Sequence, residues 1–134
     1  MQSHTVLRTF VWDDLDNLVA AYNRVQRTTA SETSMRSTWM RAMLSVPGMD
    51  PEDNCILAER DGTIVGFALL TPEPIINRVV AVIGIVPEER GLGLGNRLIG
   101  DATDHTKLLG IRNFQTEEPA NSWIATNLLE DHGF

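Results

Sequence analysis

The stretch Arg90-Gly91-Leu92-Gly93-Leu94-Gly95 decides how the rest of the chain is read. Before it, Val79 to Val86 is apolar and rich in β-branched residues, as a buried strand is. After it, Leu94, Leu98, Ala102 and Leu109 recur near the helical period. The run therefore joins a strand to a helix. Glycines at alternate positions let the backbone turn tightly and bring its N–H groups inward, and the helix start adds a partial positive charge. Such a loop suits an anion, a pyrophosphate above all, and needs no lysine to hold it.

Two other phosphate loops use glycine as freely. A Walker loop needs Gly-Lys-Ser or Gly-Lys-Thr ahead of its helix, and Lys107 is the only lysine, which excludes it. A Rossmann loop belongs to the first strand-helix unit, with an acidic residue roughly 20 positions on at the end of the next strand. Glu117 and Glu118 lie near that distance, but several strands and helices precede the loop. The Rossmann arrangement is disfavoured on that ground.

The segment Val86-Pro87-Glu88-Glu89-Arg90-Gly91-Leu92-Gly93-Leu94-Gly95-Asn96-Arg97-Leu98-Ile99 resembles the acetyl-CoA motif of the GCN5-related N-acetyltransferases (GNAT superfamily). It matches the signature Arg/Gln-x-x-Gly-x-Gly/Ala completely. Asn54 to Phe67 is similar to the family's second and third strands joined by an Asp-Gly turn, and Leu128 to Phe134 to its last helix and Gly-Phe ending. The resemblance runs from about residue 5 to residue 134. It implies an α/β (α+β) fold, a mixed, mostly antiparallel sheet with helices on both faces, in a single domain over 1–134. Relatives continue through two more antiparallel strands, which this sequence lacks. An uncovered edge and a bare core are costly. The expectation is a chain truncated at its C-terminus or completed by another unit: a homodimer, a partner domain, or the second half of a tandem protein like mycothiol synthase.

Composition agrees with one domain: 134 residues with 43% hydrophobic content can bury one core. No apolar run approaches the roughly 20 residues that cross a bilayer, and no signal-peptide pattern opens the chain. A net charge of −7 without a basic cluster argues against nucleic acid or an anionic membrane as partner, and is compatible with a cationic amine. The single cysteine, Cys55, reads as a buried small hydrophobe in a strand ahead of a nucleophile, and a reducing cytoplasm is the expected setting.

Along the chain, Thr5 to Phe10 alternates as a strand, and Asp13 is placed to cap a helix carrying Leu15, Leu18, Val19, Tyr22 and Val25. Ser31 or Ser34 opens a second helix whose Met35, Trp39, Ala42, Met43 and Val46 form a core face, ended by Pro47-Gly48. An acidic loop, Asp50 to Asp53, leads into strand two. Asp61-Gly62 marks a hairpin, and Pro72 and Pro74 end strand three. Strand four runs from Ile76 to Val86, strand five from Arg112 to Thr116, and a last helix from Ser122 to Asp131.

The family's chemistry is attack of an amine on the thioester of acetyl-CoA, with no metal. The resemblance implies that backbone groups at Ile85 and Val86 hold the pantetheine and polarise the carbonyl. Arg90, Gly91, Leu92, Gly93, Leu94, Gly95 and Asn96 bind the pyrophosphate, with Arg90 either pairing with phosphate or bracing the loop. In relatives that acetylate protein N-termini, a glutamate at the end of strand five acts as base and a tyrosine twelve residues on as acid. Glu117 holds the first place, beside Glu118, and Leu129 the second. Glu117 and Glu118 also fit the solvated entry to the last helix. Glu73, Glu59 and Tyr22, the only tyrosine, are further candidates, while His105 fits a packing role better than a base. Ser122, with Asn121 before it, takes the place of an asparagine near the cofactor arm. Two readings follow: an N-acetyltransferase acting on a primary amine of a small molecule or peptide, or a non-catalytic half-domain that binds acyl-CoA or packs against a catalytic partner.

Overall fold

The computed structural model describes residues 4–26 and 34–117. Its elements are β1 (Thr5–Thr9), α1 (Leu15–Gln26), α2 (Ser37–Leu44), a single-turn α3 (Pro51–Asn54), β2 (Cys55–Arg60), β3 (Thr63–Glu73), β4 (Arg78–Ile85), α4 (Leu94–Leu108) and β5 (Asn113–Glu117). The strands form one sheet in the order β1-β2-β3-β4-β5. The first four are antiparallel neighbours, whereas β5 lies parallel to β4 after the crossover through α4. This is the mixed, mostly antiparallel α/β sheet that the sequence implied.

Two adjacent residues of β3 show how the layers are arranged, because neighbours in a strand point to opposite faces. A side chain at Gly66 would meet Leu98 and Leu94 of α4. Phe67 turns the other way and stacks on Tyr22 of α1, with ring centroids 5.6 Å apart. Hence α4 covers one face and α1 the other. Leu18, Val25, Met40, Leu57, Leu69, Leu98 and Ile99 fill the two cores.

The hairpin between β2 and β3 turns at Asp61 and Gly62, with φ of 53° and 78°, the pair of positive values a type I′ turn requires. Elsewhere the elements depart from expectation for local reasons. Asp13 is exposed, and Asp14 makes the cap by accepting the Val11 N–H at 2.9 Å. Arg8 donates two hydrogen bonds to Asp14 and holds its carboxyl below the usual range. The second helix begins at Ser37, which rotates Met40 and Leu44 into the core, one turn apart, and leaves Trp39, Met43 and Val46 exposed. Arg36 lies over the Trp39 ring instead. Asp50 to Asp53 is the left-handed entry and body of α3 rather than a loop. At α4 the buried face is Leu94, Leu98, Ile99 and Ala102, while Leu109 lies past the helix end and is exposed.

Strand three stops before Pro74, as expected, but runs through Pro72. Pro72 pairs with Val79, and the strand ends at Glu73. β2 has ended opposite Leu69, so beyond it β3 has a free edge where a residue without N–H is tolerated. Ile75, Ile76 and Asn77, expected to begin or precede strand four, form a 3-10 turn and its left-handed exit, and β4 starts at Arg78. β5 runs one residue further than expected and includes Glu117. The last helix falls outside the described residues.

Gly84 of β4 faces Phe67, and a Cβ there would lie 2.4 Å from the ring. The ring is buried and backed by Tyr22, so it cannot retreat. Gly84→Ala is therefore expected to cost about 1–3 kcal/mol of stability in urea unfolding, as overpacking does. The cost should shrink when Phe67 is Leu, and a full cost in that double variant would refute the contact as its cause.

Candidate functional site

The site is built where β4 ends and α4 begins. A 3-10 turn, Pro87–Glu89, follows β4 and delivers the chain to the glycine run. Gly91 and Gly93 have φ of 79° and 86°, values that side chains rarely adopt, and Gly93 is the N-cap of α4. The first helical bond joins the Arg97 N–H to the Gly93 carbonyl, which leaves the amides of Leu94, Gly95 and Asn96 without acceptors inside the helix. No side chain caps this end and its first turn has no acid. The loop has the backbone geometry of an anion cradle, with Gly91, Leu92 and Gly93 on the surface.

The arginines around the loop have protein partners. Arg90 braces from outside: its Nε donates to the Ile85 carbonyl at 3.1 Å. Arg60 donates to both carboxylate oxygens of Glu89 at 3.0 and 3.1 Å, anchoring the turn to the end of β2. Arg24 of α1 pairs with Glu88, and Arg97 donates to the Thr5 carbonyl at 3.0 Å. The sequence suggested only Arg90. The partners of Arg24 and Arg60 are set by tertiary approach of α1 and β2, which no local pattern announces.

β4 supplies the second half of the site. It pairs with β5 from Arg78↔Asn113 to Val82↔Glu117, and among the described residues no strand lies beside Ile83 to Ile85 on that side. Val86 donates its N–H to Val65 across the β3 side at 3.0 Å. Antiparallel alternation then makes Val82, Gly84 and Val86 the residues that bond β3, and turns the N–H and C=O groups of Ile83 and Ile85 to the open side. Of the two residues expected here, Ile85 faces the opening with its carbonyl held by Arg90, whereas the Val86 amide is committed to β3. Ile83, not suggested by the sequence, is the other residue that faces it.

Glu117 stands in register with Val82, where the β4–β5 ladder ends. Glu118, Asn121, Ser122 and Leu129 lie outside the described residues. Two alternative acids are engaged elsewhere: Glu59 accepts from Arg8, and Glu73 from Arg78. Tyr22 is half-buried on Phe67, and burial pushes its phenol up, so it stays protonated. His105 is bonded to the Asn54 side chain at 2.7 Å and has a packing role. Among the described residues no group of three or more His, Cys, Asp or Glu side chains could hold a metal ion, and no helix is long and apolar enough to cross a membrane.

The comparisons agree with this geometry. The model of the Acetyltransferase (GNAT) family matches residues 12–134, and the chain belongs to that family. Over 97 residues, 71% of this chain, it is 34% identical to a mycothiol acetyltransferase from Thermomonospora curvata. The match covers 32% of that protein, so the matched part of the chain spans about a third of the length of the curated relative. Among solved structures, an acetyltransferase of the GNAT family from Streptococcus pneumoniae superposes with a TM-score of 0.77 at 25% identity, covering 97% of this chain and 84% of that one. A Salmonella typhimurium protein solved with its cofactor acetyl-CoA gives 0.76 at 18% identity, covering 97% and 79%.

Cys55 is no nucleophile. Burial pushes its thiol up to about 12, against the helping backbone hydrogen bond with Leu70. A shift of that size leaves roughly a thousandfold less thiolate near neutral pH than an ordinary thiol has. A thiol reagent should therefore modify the native chain far more slowly than the urea-unfolded chain, and equal rates would contradict the burial.

Proposed function

We propose that the chain is an acetyl-CoA-dependent N-acetyltransferase that transfers the acetyl group to a primary amine of a small molecule or peptide by direct attack. The observation that carries this reading is the adjacency of two sets of backbone groups: the free amides at the start of α4, and the side of β4 around Ile83 and Ile85 along which, among the described residues, β5 does not continue. The first set suits a pyrophosphate and the second an extended amide-bearing arm, and acetyl-CoA has both in that order. Arg90, Gly91, Leu92, Gly93, Leu94, Gly95 and Asn96 form the phosphate end in this reading, with Ser122 near the arm.

The transfer is chiefly a matter of positioning. The amine nitrogen attacks the thioester carbon, a backbone N–H of β4 stabilises the oxyanion, and collapse expels the thiolate. Glu117, at the end of β5 beside Val82, is the base that takes the proton from the amine. Leu129 cannot return a proton to the thiolate, but a thiol's modest pKa makes that help dispensable.

A second reading is favoured by the relative's length, a little over twice that of this chain. In it the chain is one unit of a longer tandem protein, binding acyl-CoA or bracing a catalytic unit without turnover. The two readings part on activity. Titration calorimetry with acetyl-CoA should give binding that Gly93→Glu weakens by at least about tenfold, since it strains a positive φ and sets a carboxylate at the anion site. An amine screen should then yield product with the parent and far less with Glu117→Gln. Binding without product from any amine would favour the second reading, and a folded parent that ignores acetyl-CoA would overturn the first and leave of the second only the bracing role.

A further inference from the structure

Four arginines surround the glycine loop, and their exposure separates them. Arg60 holds Glu89, which is only 8% exposed, so releasing that guanidinium would strand a buried carboxylate. Arg90 and Arg97 are tied to backbone carbonyls of Ile85 and Thr5. Arg24 is different. Among the described residues it pairs with Glu88, and the two side chains are 35% and 53% exposed. A pair so open to water is weakly held and easily exchanged.

Position gives the pair a meaning. Glu88 precedes Gly91 by three residues, in the turn that delivers the chain to the loop. Uncompensated, its charge would repel a phosphate bound there. Arg24 offsets that charge, and the pair ties α1 to the turn that leads into the loop. A phosphate carries more charge than a carboxylate and matches the planar fork of a guanidinium as well.

Resting on the reading of the loop as a CoA site, we propose that Glu88 is a placeholder for the cofactor's pyrophosphate, and that Arg24 leaves Glu88 for the phosphate when the loop is filled. Arg24 is then a cofactor-binding residue supplied by α1, from outside the glycine motif. Because Tyr22 and Arg24 share α1, and Tyr22 packs on Phe67 over Gly84, loading the loop also fixes α1 against β4.

The test is calorimetric titration of CoA into the parent, Arg24→Gln, Glu88→Gln and the double variant, each checked for folding by circular dichroism. Glu88→Gln should tighten CoA about two- to fivefold, the worth of one exposed ion pair no longer to be broken. Arg24→Gln should weaken it, and the gain from Glu88→Gln should be smaller in the Arg24→Gln background, where only the repulsion between Glu88 and the phosphate is left to remove. Dephospho-CoA should reproduce the pattern, since the pyrophosphate and not the 3′-phosphate is the proposed ligand. An equal gain in both backgrounds would mean that only long-range charge is at work, and would overturn the inference, as would Arg24→Gln binding like the parent. A pattern lost with dephospho-CoA would overturn the assignment to the pyrophosphate. A folded parent that binds no CoA would instead overturn the reading of the loop itself, and the inference with it.

Discussion

Every main-chain N–H and C=O in a folded chain must find a partner or water, and β4 meets that requirement unequally on its two sides. β3 runs beside it from Arg78 to Ile85, whereas its ladder with β5 ends at Val82. The last residues of the strand are thus held by β3, while among the described residues β5 goes no further than Glu117. Gly84 lets the Phe67 ring lie flat over this segment, and Arg90 reaches back to the Ile85 carbonyl. This end of β4 is supported from the β3 side and from the loop that follows.

The electrostatics of the loop follow from the same economy. A chain of net charge −7 holds an anion cradle whose nearby guanidiniums are bonded to carboxylates or carbonyls. In the proposed reading, attraction for phosphate comes mainly from oriented amides and the start of α4, which cost no net charge. The acids of Pro87–Glu89 would defeat this arrangement were they not each matched by an arginine from another element, Glu88 by Arg24 and Glu89 by Arg60.

Much of the fold was legible in the sequence because its signals were local. The Asp61-Gly62 turn, the apolar run of β4 and the glycine loop with its helix depend on backbone preferences at a few adjacent positions, and the structure has each of them. The α2 stripe was misread because periodicity alone does not say which of two apolar faces is inward. The approach of α1 settles that, placing Met40 inside and Trp39 outside. Pro72 was misread because a proline's cost depends on whether its missing N–H faces a partner, and the early end of β2 removes that partner. At the site, the loop was readable from glycine spacing. The open backbone of Ile83 and the matched pairs Arg24–Glu88 and Arg60–Glu89 were not, being products of strand register and of contacts between distant segments.

A binding surface written in main-chain atoms has an evolutionary consequence. Gly91, Leu92 and Gly93 face solvent, and the groups they offer are shared by all residues except proline. Selection then acts on dihedral angles and helix position, with most side chains left free to drift. A Salmonella typhimurium protein sharing 18% of its residues with this chain keeps the fold at a TM-score of 0.76. If the proposed reading holds, the acceptor side could be rebuilt over a loop made of main-chain groups, and specificity could diverge faster than the fold.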